Sequence, residues 1–521
     1  MKPENSLRLL AIFLLALWVR SAPLGRYVTP DEPMWVMRSA RFADAVAARD
    51  WKAIPQTGHP GITTMGLGAL GIRLMQALQP AESAEHLAWI HNMAWLAPEN
   101  SAAFTHLAFF LPAARWLVGG ATALGVALAY WLARSRLGER AARLLALFLA
   151  LDPFFAGLSG LLHTDALQAI CVVLAALLVV PKVTNSTPDI GSARALAAGC
   201  LFASALCLAL AGMTKTLGLL VAPGLAVAML LEKRHPLAIR LLRVVSLTIL
   251  TAVWTAILYP VFWIDPRNAI ASLVGAVSYH ESIGLRDVFF LGDMSPDPGP
   301  WFYPAVLFFR LTPPVLVGLI VTVYERIRGR RKTARSFSGH FILPALVYLA
   351  ALSLATKKFD RYVLTVMLLL AVTASQTWAG HFKQWKWAIL ASLLLPWVMV
   401  APLPMYYANP LVGGPWLARH IIPLGWGEAS GLAAARANYS LPTSSTRSLL
   451  TKNVPGAAPF FEGRTRAWQA SLIPCADVLV DGLTLTEQGD VATETLHIAG
   501  LTVATWCIRT VQFPTGYPLL A

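Results

Sequence analysis

Two adjacent carboxylates, Asp31 and Glu32, stand in "YVTPDEPMW", a few residues beyond the first apolar run of a chain of 521 residues. A carboxylate at the end of a membrane helix can take a proton from an attacking hydroxyl, a contribution of ~10² to 10⁴ in rate. A second carboxylate beside it raises its proton affinity by like-charge repulsion and keeps it basic. The same residues also read as a helix start, with Thr29, Asp31 and Glu32 capping a helix that begins near Pro33. The two readings are compatible.

Cations form the second group. Lys215 lies in "AGMTKTLGLL", and Lys357, Lys358 and Arg361 lie in "ATKKFDRYVL". A charge near a helix centre costs about 2.5–3.5 kcal/mol on insertion scales, and a single lysine can escape that cost by snorkelling to the interface. Four cations at the ends of apolar runs point instead to an anion. A phosphate oxygen ~4 Å from a cation gains ~4 kcal/mol at an effective dielectric of ~20. A lipid-linked phosphate would lie at that depth.

His163-Thr164-Asp165 in "LLHTDAL" opens another apolar run. Thr164 or Asp165 could cap the helix, or His163 and Asp165 could line a pocket. His59 in "GHPG" and His280-Glu281 in a later loop could together hold a metal, but no ligand spacing supports it. No D-x-D pair occurs in the loops that carry these residues, so a divalent metal is not favoured and no cofactor is assigned. "DPGPWFYP" and "YYANPLVGGPWLARHIIPLGWGEASGL" read as rigid turns and interfacial aromatics, or as an aromatic wall for a sugar ring.

Membrane helices must position these groups. The chain is 56% hydrophobic and 13% charged, against about 25% charged in soluble domains. Apolar runs long enough to cross ~30 Å of hydrocarbon fall at about 7–23, 107–133, 141–160, 164–181, 195–212, 216–231, 238–259, 302–323, 340–356, 361–379 and 386–403. The expectation is an all-α polytopic membrane protein with about 11 transmembrane helices. The net charge of +15 comes largely from short connections such as "ARSRLGERAAR", "EKRHPLAIRLLR", "YERIRGRRKTAR" and "HFKQWK". Such basic loops mark the cytoplasmic side, so the charge is topological and no nucleic-acid partner is expected.

This assignment puts the N-terminus inside and every polar cluster outside, in a multi-pass protein of the inner or plasma membrane. The first apolar run could be a signal peptide, but no A-x-A site stands out, and a retained helix is expected. Residues 1–403 form the membrane domain, with outer loops at about 24–106 and 260–301. Residues 404–521 read as a small C-terminal α/β domain outside the membrane: "GEASGLAAARANYS" as a helix, "SSTRSLL", "DVLVDGLTLTEQGD" and "TLHIAGLTVATWCIRT" as turns and short strands. Cys171, Cys200 and Cys207 read as packing residues, whereas Cys475 and Cys507 could pair in an oxidising compartment.

Together these stretches resemble the GT-C superfamily of integral-membrane glycosyltransferases. The closest likeness is to the protein O-mannosyltransferase group (glycosyltransferase family 39) and its bacterial relatives, the aminoarabinose transferases. The resemblance covers most of the chain and rests on "TPDEPMW", "HPGITTMGLG", "LLHTDAL", "GMTKTLGLLVAP", "FFLGDMSPDPGPWFYP" and "KKFDRY". It implies a GT-C fold, a sugar carried on a polyprenyl phosphate, and inverting transfer at the outer face, with Asp31 matching the family's catalytic acid and Glu32 its neighbour. The "WWDYG"-type signature of oligosaccharyltransferases is absent, which favours transfer of a single sugar. A cationic set drawn from Lys215, Lys357, Lys358 and Arg361 would hold the departing phosphate. The sugar stays open, as does the hydroxyl acceptor, which could be protein, glycan or lipid. The alternative from these residues is a transporter or flippase of lipid-linked sugar, a class in which repeats and broken helices near the midplane are common.

Overall fold

In hydrocarbon every backbone N–H and C=O must find a partner within the chain, so long apolar runs become helices. The computed structural model describes residues 3–21, 25–55, 59–92, 101–181, 190–271, 273, 287–329, 335–440, 447–467, 478–480, 492–498 and 501–508. Helix α1 (Pro3–Arg20) packs against α6 (Leu111–Leu137). Between them the first loop folds into α2 (Glu32–Ala48), α3 (Ile62–Leu78), α4 (Pro80–Asn92) and α5 (Ser101–Ala108). These helices close over a core of their own that includes Val28, Trp35, Met65, Leu107, Phe110 and Leu162.

The bundle continues with α7 (Glu139–Leu151), α8 (Pro153–Ser159), α9 (Asp165–Val179), α10 (Ile190–Thr214), α11 (Ala222–Leu231) and α12 (Leu237–Leu258). A hairpin of β1 (Val288–Phe290) and β2 (Asp293–Ser295) precedes α13 (Phe302–Arg310), α14 (Pro313–Ile327), α15 (Arg335–Leu354) and α16 (Leu364–Val400). Among the described residues, 4 helices are long and apolar enough to cross a membrane singly, or up to 6 spans if each bent pair is one.

Two runs expected as single spans are broken. Helices α7 and α8 meet at 62°, and α13 and α14 at 113°. Both breaks precede proline, which pushes the preceding residue out of the helical region. Asp152 (ψ 116) and Thr312 (ψ 151) are accordingly extended, and Asp152 caps α8 by accepting from Phe155 N at 2.8 Å.

Helix α16 shows the opposite departure. It is helical through 37 residues, where the sequence suggested two runs with "HFKQWK" between them. A straight helix of that length would span ~55 Å. Yet the buried Arg310 side chain bonds Asp360, just before the helix, and the carbonyls of Met405 and Tyr407, just after it. The helix therefore doubles back. One limb carries His381 to Glu325 on α14 (2.9 Å), and the other returns Trp397, whose indole donates to Leu151 O at 2.8 Å.

The tail contains α17 (Gly414–Ala418), α18 (Glu428–Ser440), α19 (Val454–Ala457) and a 5-stranded sheet of order β4-β3-β5-β7-β6. Its strands are β3 (Ser448–Thr451), β4 (Arg464–Ala467), β5 (Val478–Val480), β6 (Ala492–Ile498) and β7 (Leu501–Ile508). Strand β3 runs parallel to β4 and β5, and β7 antiparallel to β5 and β6. The buried core of the bundle runs on without interruption into Met405, Tyr407, Ala433 and Leu449. Cys171, Cys200 and Cys207 are free thiols. The pairing considered for Cys475 and Cys507 lies outside the described residues.

Candidate active site

The acidic pair divides its labour. Glu32 opens α2 and is fully buried. Its Oε1 accepts from Arg115 Nε (2.7 Å) and Leu162 N (3.0 Å), and its Oε2 accepts from Arg115 Nη2 (2.6 Å) and from Thr29 N and Oγ1 (2.9 Å each). Burial alone would push this carboxyl up; the Arg115 guanidinium outweighs it and holds the group below its ordinary range. Thr29 donates to Glu32 through both its N–H and its hydroxyl, so Glu32 rather than Asp31 ties down the turn that enters the helix. The repulsion expected from Glu32 on Asp31 is thereby met by Arg115.

Asp31 is left facing outward, its side chain 29% exposed, with no cap to serve. Its Oδ2 lies 3.4 Å from Arg361 Nη2 and 3.6 Å from His163 Nε2. Arg361 precedes α16, and its Nε lies 3.3 Å from Asp165 Oδ2. Asp165, the first residue of α9, also meets His163 Nδ1 (3.1 Å) and Lys215 Nζ (2.5 Å). Lys215 follows α10 and lies over the Tyr362 ring at 3.6 Å. Five residues from four separated stretches thus form one cluster of two carboxylates, two cations and an imidazole. Arg361 Nε, Asp165 Oδ2 and His163 Nδ1 are buried at ion-pair distance without well-angled hydrogen bonds, an arrangement that leaves these groups able to turn toward a ligand.

The other expected site residues lie around this cluster. Lys358 is buried and donates to Asp297 Oδ1 at 2.8 Å, which holds the Asp297 carboxyl below its ordinary range. It therefore ties the segment between β2 and α13 to the bundle. Lys357 is half-buried, with its ammonium 5.7 Å from the centre of the Phe359 ring. His59 sits in the turn before Gly61, whose φ of +64 and close approach to the Trp35 ring leave no room for a Cβ (2.3 Å). Trp35 in turn meets His163 edge-on at 6.1 Å. His280 and its neighbour Glu281 lie outside the described residues. Among the described residues no group of three or more His, Cys, Asp or Glu side chains converges as a metal cage does.

Two contributors escaped the sequence reading. Arg115 was hidden in "LPAARWLV", where a lone arginine inside an apolar run is itself a signal. Trp426 comes from the tail and packs on both Arg361 (4.0 Å) and His163 (4.8 Å). Beside the cluster an apolar groove of about 520 Å³, lined by Thr63, Leu67, Leu70, Leu167, Leu210 and Thr214 among others, ends at the residue before Lys215. Thr63 and Thr214 share a hydrogen bond of 2.6 Å at its edge.

No protein-family model matches the chain, and no curated protein matches it. Solved structures do. ArnT from Cupriavidus metallidurans in the apo state matches with a TM-score of 0.50 and 17% identity, over 89% of this chain and 86% of that one. The same protein bound to undecaprenyl phosphate matches with a TM-score of 0.51 and 15% identity, over 97% and 98%. The chain therefore shares the fold of ArnT.

Proposed function

We propose that the protein is an integral-membrane inverting glycosyltransferase that moves a single sugar from a polyprenyl-phosphate donor to a hydroxyl acceptor at the outer face of the membrane. The observation that carries this reading is the meeting of Asp31 with Arg361 (3.4 Å) in a cluster that also holds Lys215 through Asp165. A proton acceptor and two cations then share one cluster. The apolar groove beside Lys215 suits a polyprenyl chain, and the ArnT structure bound to undecaprenyl phosphate supports a donor of that class. The basic connections at the opposite end of the bundle support a cytoplasmic assignment for that end.

In this mechanism Asp31 Oδ takes the acceptor hydroxyl proton. The oxygen attacks the anomeric carbon from the face opposite the phosphate, and the carbon–oxygen bond to phosphate breaks with its electron pair going to the phosphate. That group passes from one negative charge toward two as it leaves. Arg361 and Lys215 meet the growing charge, and charge stabilisation of this kind commonly contributes more to such catalysis than any other effect. Asp165, only 4% exposed, holds Lys215 and His163 in place, while the more exposed Asp31 is the carboxylate an acceptor can reach. Glu32 serves by fixing the loop that presents Asp31. Lys357 and Lys358 lie in the same "KKFDRY" turn, and Lys358 would engage the donor only by leaving Asp297.

The test is incubation of purified protein with a panel of polyprenyl-phosphate sugars, reading free polyprenyl phosphate. Asp31→Asn should lose turnover and keep polyprenyl-phosphate binding. Transfer by Asp31→Asn at the wild-type rate would remove the base assignment. Movement of intact lipid-linked sugar across a vesicle membrane, without release of polyprenyl phosphate, would favour a flippase instead.

A further inference from the structure

Trp426 lies in "LGWGE", far along the chain from every other residue of the cluster. Its indole covers the Arg361 guanidinium at 4.0 Å and meets the His163 ring edge-on at 4.8 Å. These are the two groups that flank Asp31 Oδ2. We propose that Trp426 is a positioning residue of the site, holding Arg361 and His163 on either side of Asp31, so that the tail supplies a fixed wall of the catalytic pocket. The inference rests on the glycosyltransferase reading for its consequence and on the contacts themselves for its geometry.

The local structure fits a wall held in place from both sides. Gly425 and Gly427 both have left-handed φ (+74 and +78). A Cβ on Gly425 would stand 2.4 Å from the Tyr406 ring, and one on Gly427 2.4 Å from Asn453 Nδ2 and 3.4 Å from Pro30. The segment is therefore wedged between the tail and the loop that carries Asp31. Trp426 N donates to the buried Glu428 carboxylate, and Gly427 O accepts from Asn453 Nδ2 at 2.9 Å. Upstream, one Arg310 Nη2 bonds both Pro423 O and the Asp360 carboxylate, and Asp360 is the residue before Arg361. The segment bearing the indole and the turn bearing the guanidinium thus share an anchor.

A guanidinium between two carboxylates needs such a wall. Arg361 Nε makes no well-angled hydrogen bond, so the aromatic faces of Trp426 and Phe359 (4.3 Å) hold its plane. Without the indole the side chain can swing toward water, and Asp31 and a departing phosphate would both lose their cation.

The experiment uses the full-length protein, with undecaprenyl phosphate as the probe. Trp426→Ala should weaken undecaprenyl-phosphate binding about tenfold, the worth of a desolvated cation–π contact. It should also move the acid limb of the kcat profile to higher pH, because Asp31 loses a neighbouring positive charge. Trp426→Phe, which keeps an aromatic face, should stay within about threefold of wild type. A second readout needs no substrate: the Arg361 Nε–H resonance, assigned by its loss in Arg361→Lys, should carry an upfield ring-current shift that Trp426→Ala abolishes and Trp426→Phe retains. Wild-type binding and pH profile in Trp426→Ala, or an unshifted Arg361 resonance in wild type, would overturn the proposal. If wild type binds no undecaprenyl phosphate while the ring-current shift is present and Trp426-dependent, the positioning stands and the glycosyltransferase reading fails.

Discussion

The two ends of the helix bundle handle charge in opposite ways. At one end Glu139 gathers Arg8, Arg134 and Arg143 at 3.5, 2.6 and 2.8 Å, with side chains 24–54% exposed. At the other end Asp165, Lys215, His163 and Arg361 meet with side chains 1–10% exposed. Exposed ion pairs contribute little because water does almost as well. Buried ones are costly to assemble and costly to break. A membrane protein gains orientation from the first kind. The second kind, with Asp31 opening onto solvent, is the arrangement expected where chemistry must be done.

That contrast can be broken in graded steps. The largest effect should come from Asp31→Asn, with turnover falling ~10² to 10⁴-fold while the thermal unfolding midpoint hardly moves. Arg115→Ala should do the reverse: it strands the buried Glu32 carboxylate and should cost about 3–5 kcal/mol in a denaturant or thermal unfolding assay. The pair Glu32→Gln with Arg115→Met should recover much of that loss. Gly427→Ala should cost more than about 1 kcal/mol, because φ is +78 and the added Cβ would stand 2.4 Å from Asn453 Nδ2. Limited proteolysis of the tail is the direct readout. The smallest effect should belong to Glu139→Gln, below about 1 kcal/mol.

Glu428 sharpens the comparison through pH. Burial pushes its carboxyl from 4.5 up to about 7, although its bond from Trp426 N works the other way. The unfolded chain therefore binds fewer protons than the folded one between those values, so stability contributed by the protonated carboxyl is full below about 4.5 and is lost as pH rises through about 7. Tail docking, followed by proteolysis rate, should loosen across that window, and Glu428→Gln should flatten the dependence.

The sequence made much of this legible. Hydropathy located the bundle's apolar runs, and "TPDE", "LLHTDAL", "GMTKT" and "KKFDRY" contributed the residues that converge, because charge inside apolar sequence is rarely tolerated without a task. What it could not convey was how each charge is discharged. Glu32 and Asp31 look alike in the sequence, yet the first is neutralised by Arg115 on α6 and only the second faces the cluster. Lys358 and Arg361 lie in one turn, yet Lys358 pairs with Asp297. The bends at Asp152 and Thr312 were signalled by the prolines that follow them, but hydropathy averages over such breaks. Trp426 lies in a stretch read as turns or an aromatic wall, but which of its aromatics meets the cluster, and on which groups, is decided entirely by tertiary folding.

Arg310 carries a consequence for biosynthesis. Its guanidinium bonds groups 50, 95, 97 and 113 residues further along the chain. A nascent chain emerging into the membrane cannot complete that four-way junction until the segment around Pro423 has been translated. Even with every earlier helix inserted, the Arg310 side chain that bonds Asp360, beside Arg361, still lacks its bonds to Met405, Tyr407 and Pro423. The cluster around Asp31 is thus among the last parts to be built, well after every residue in it has been translated.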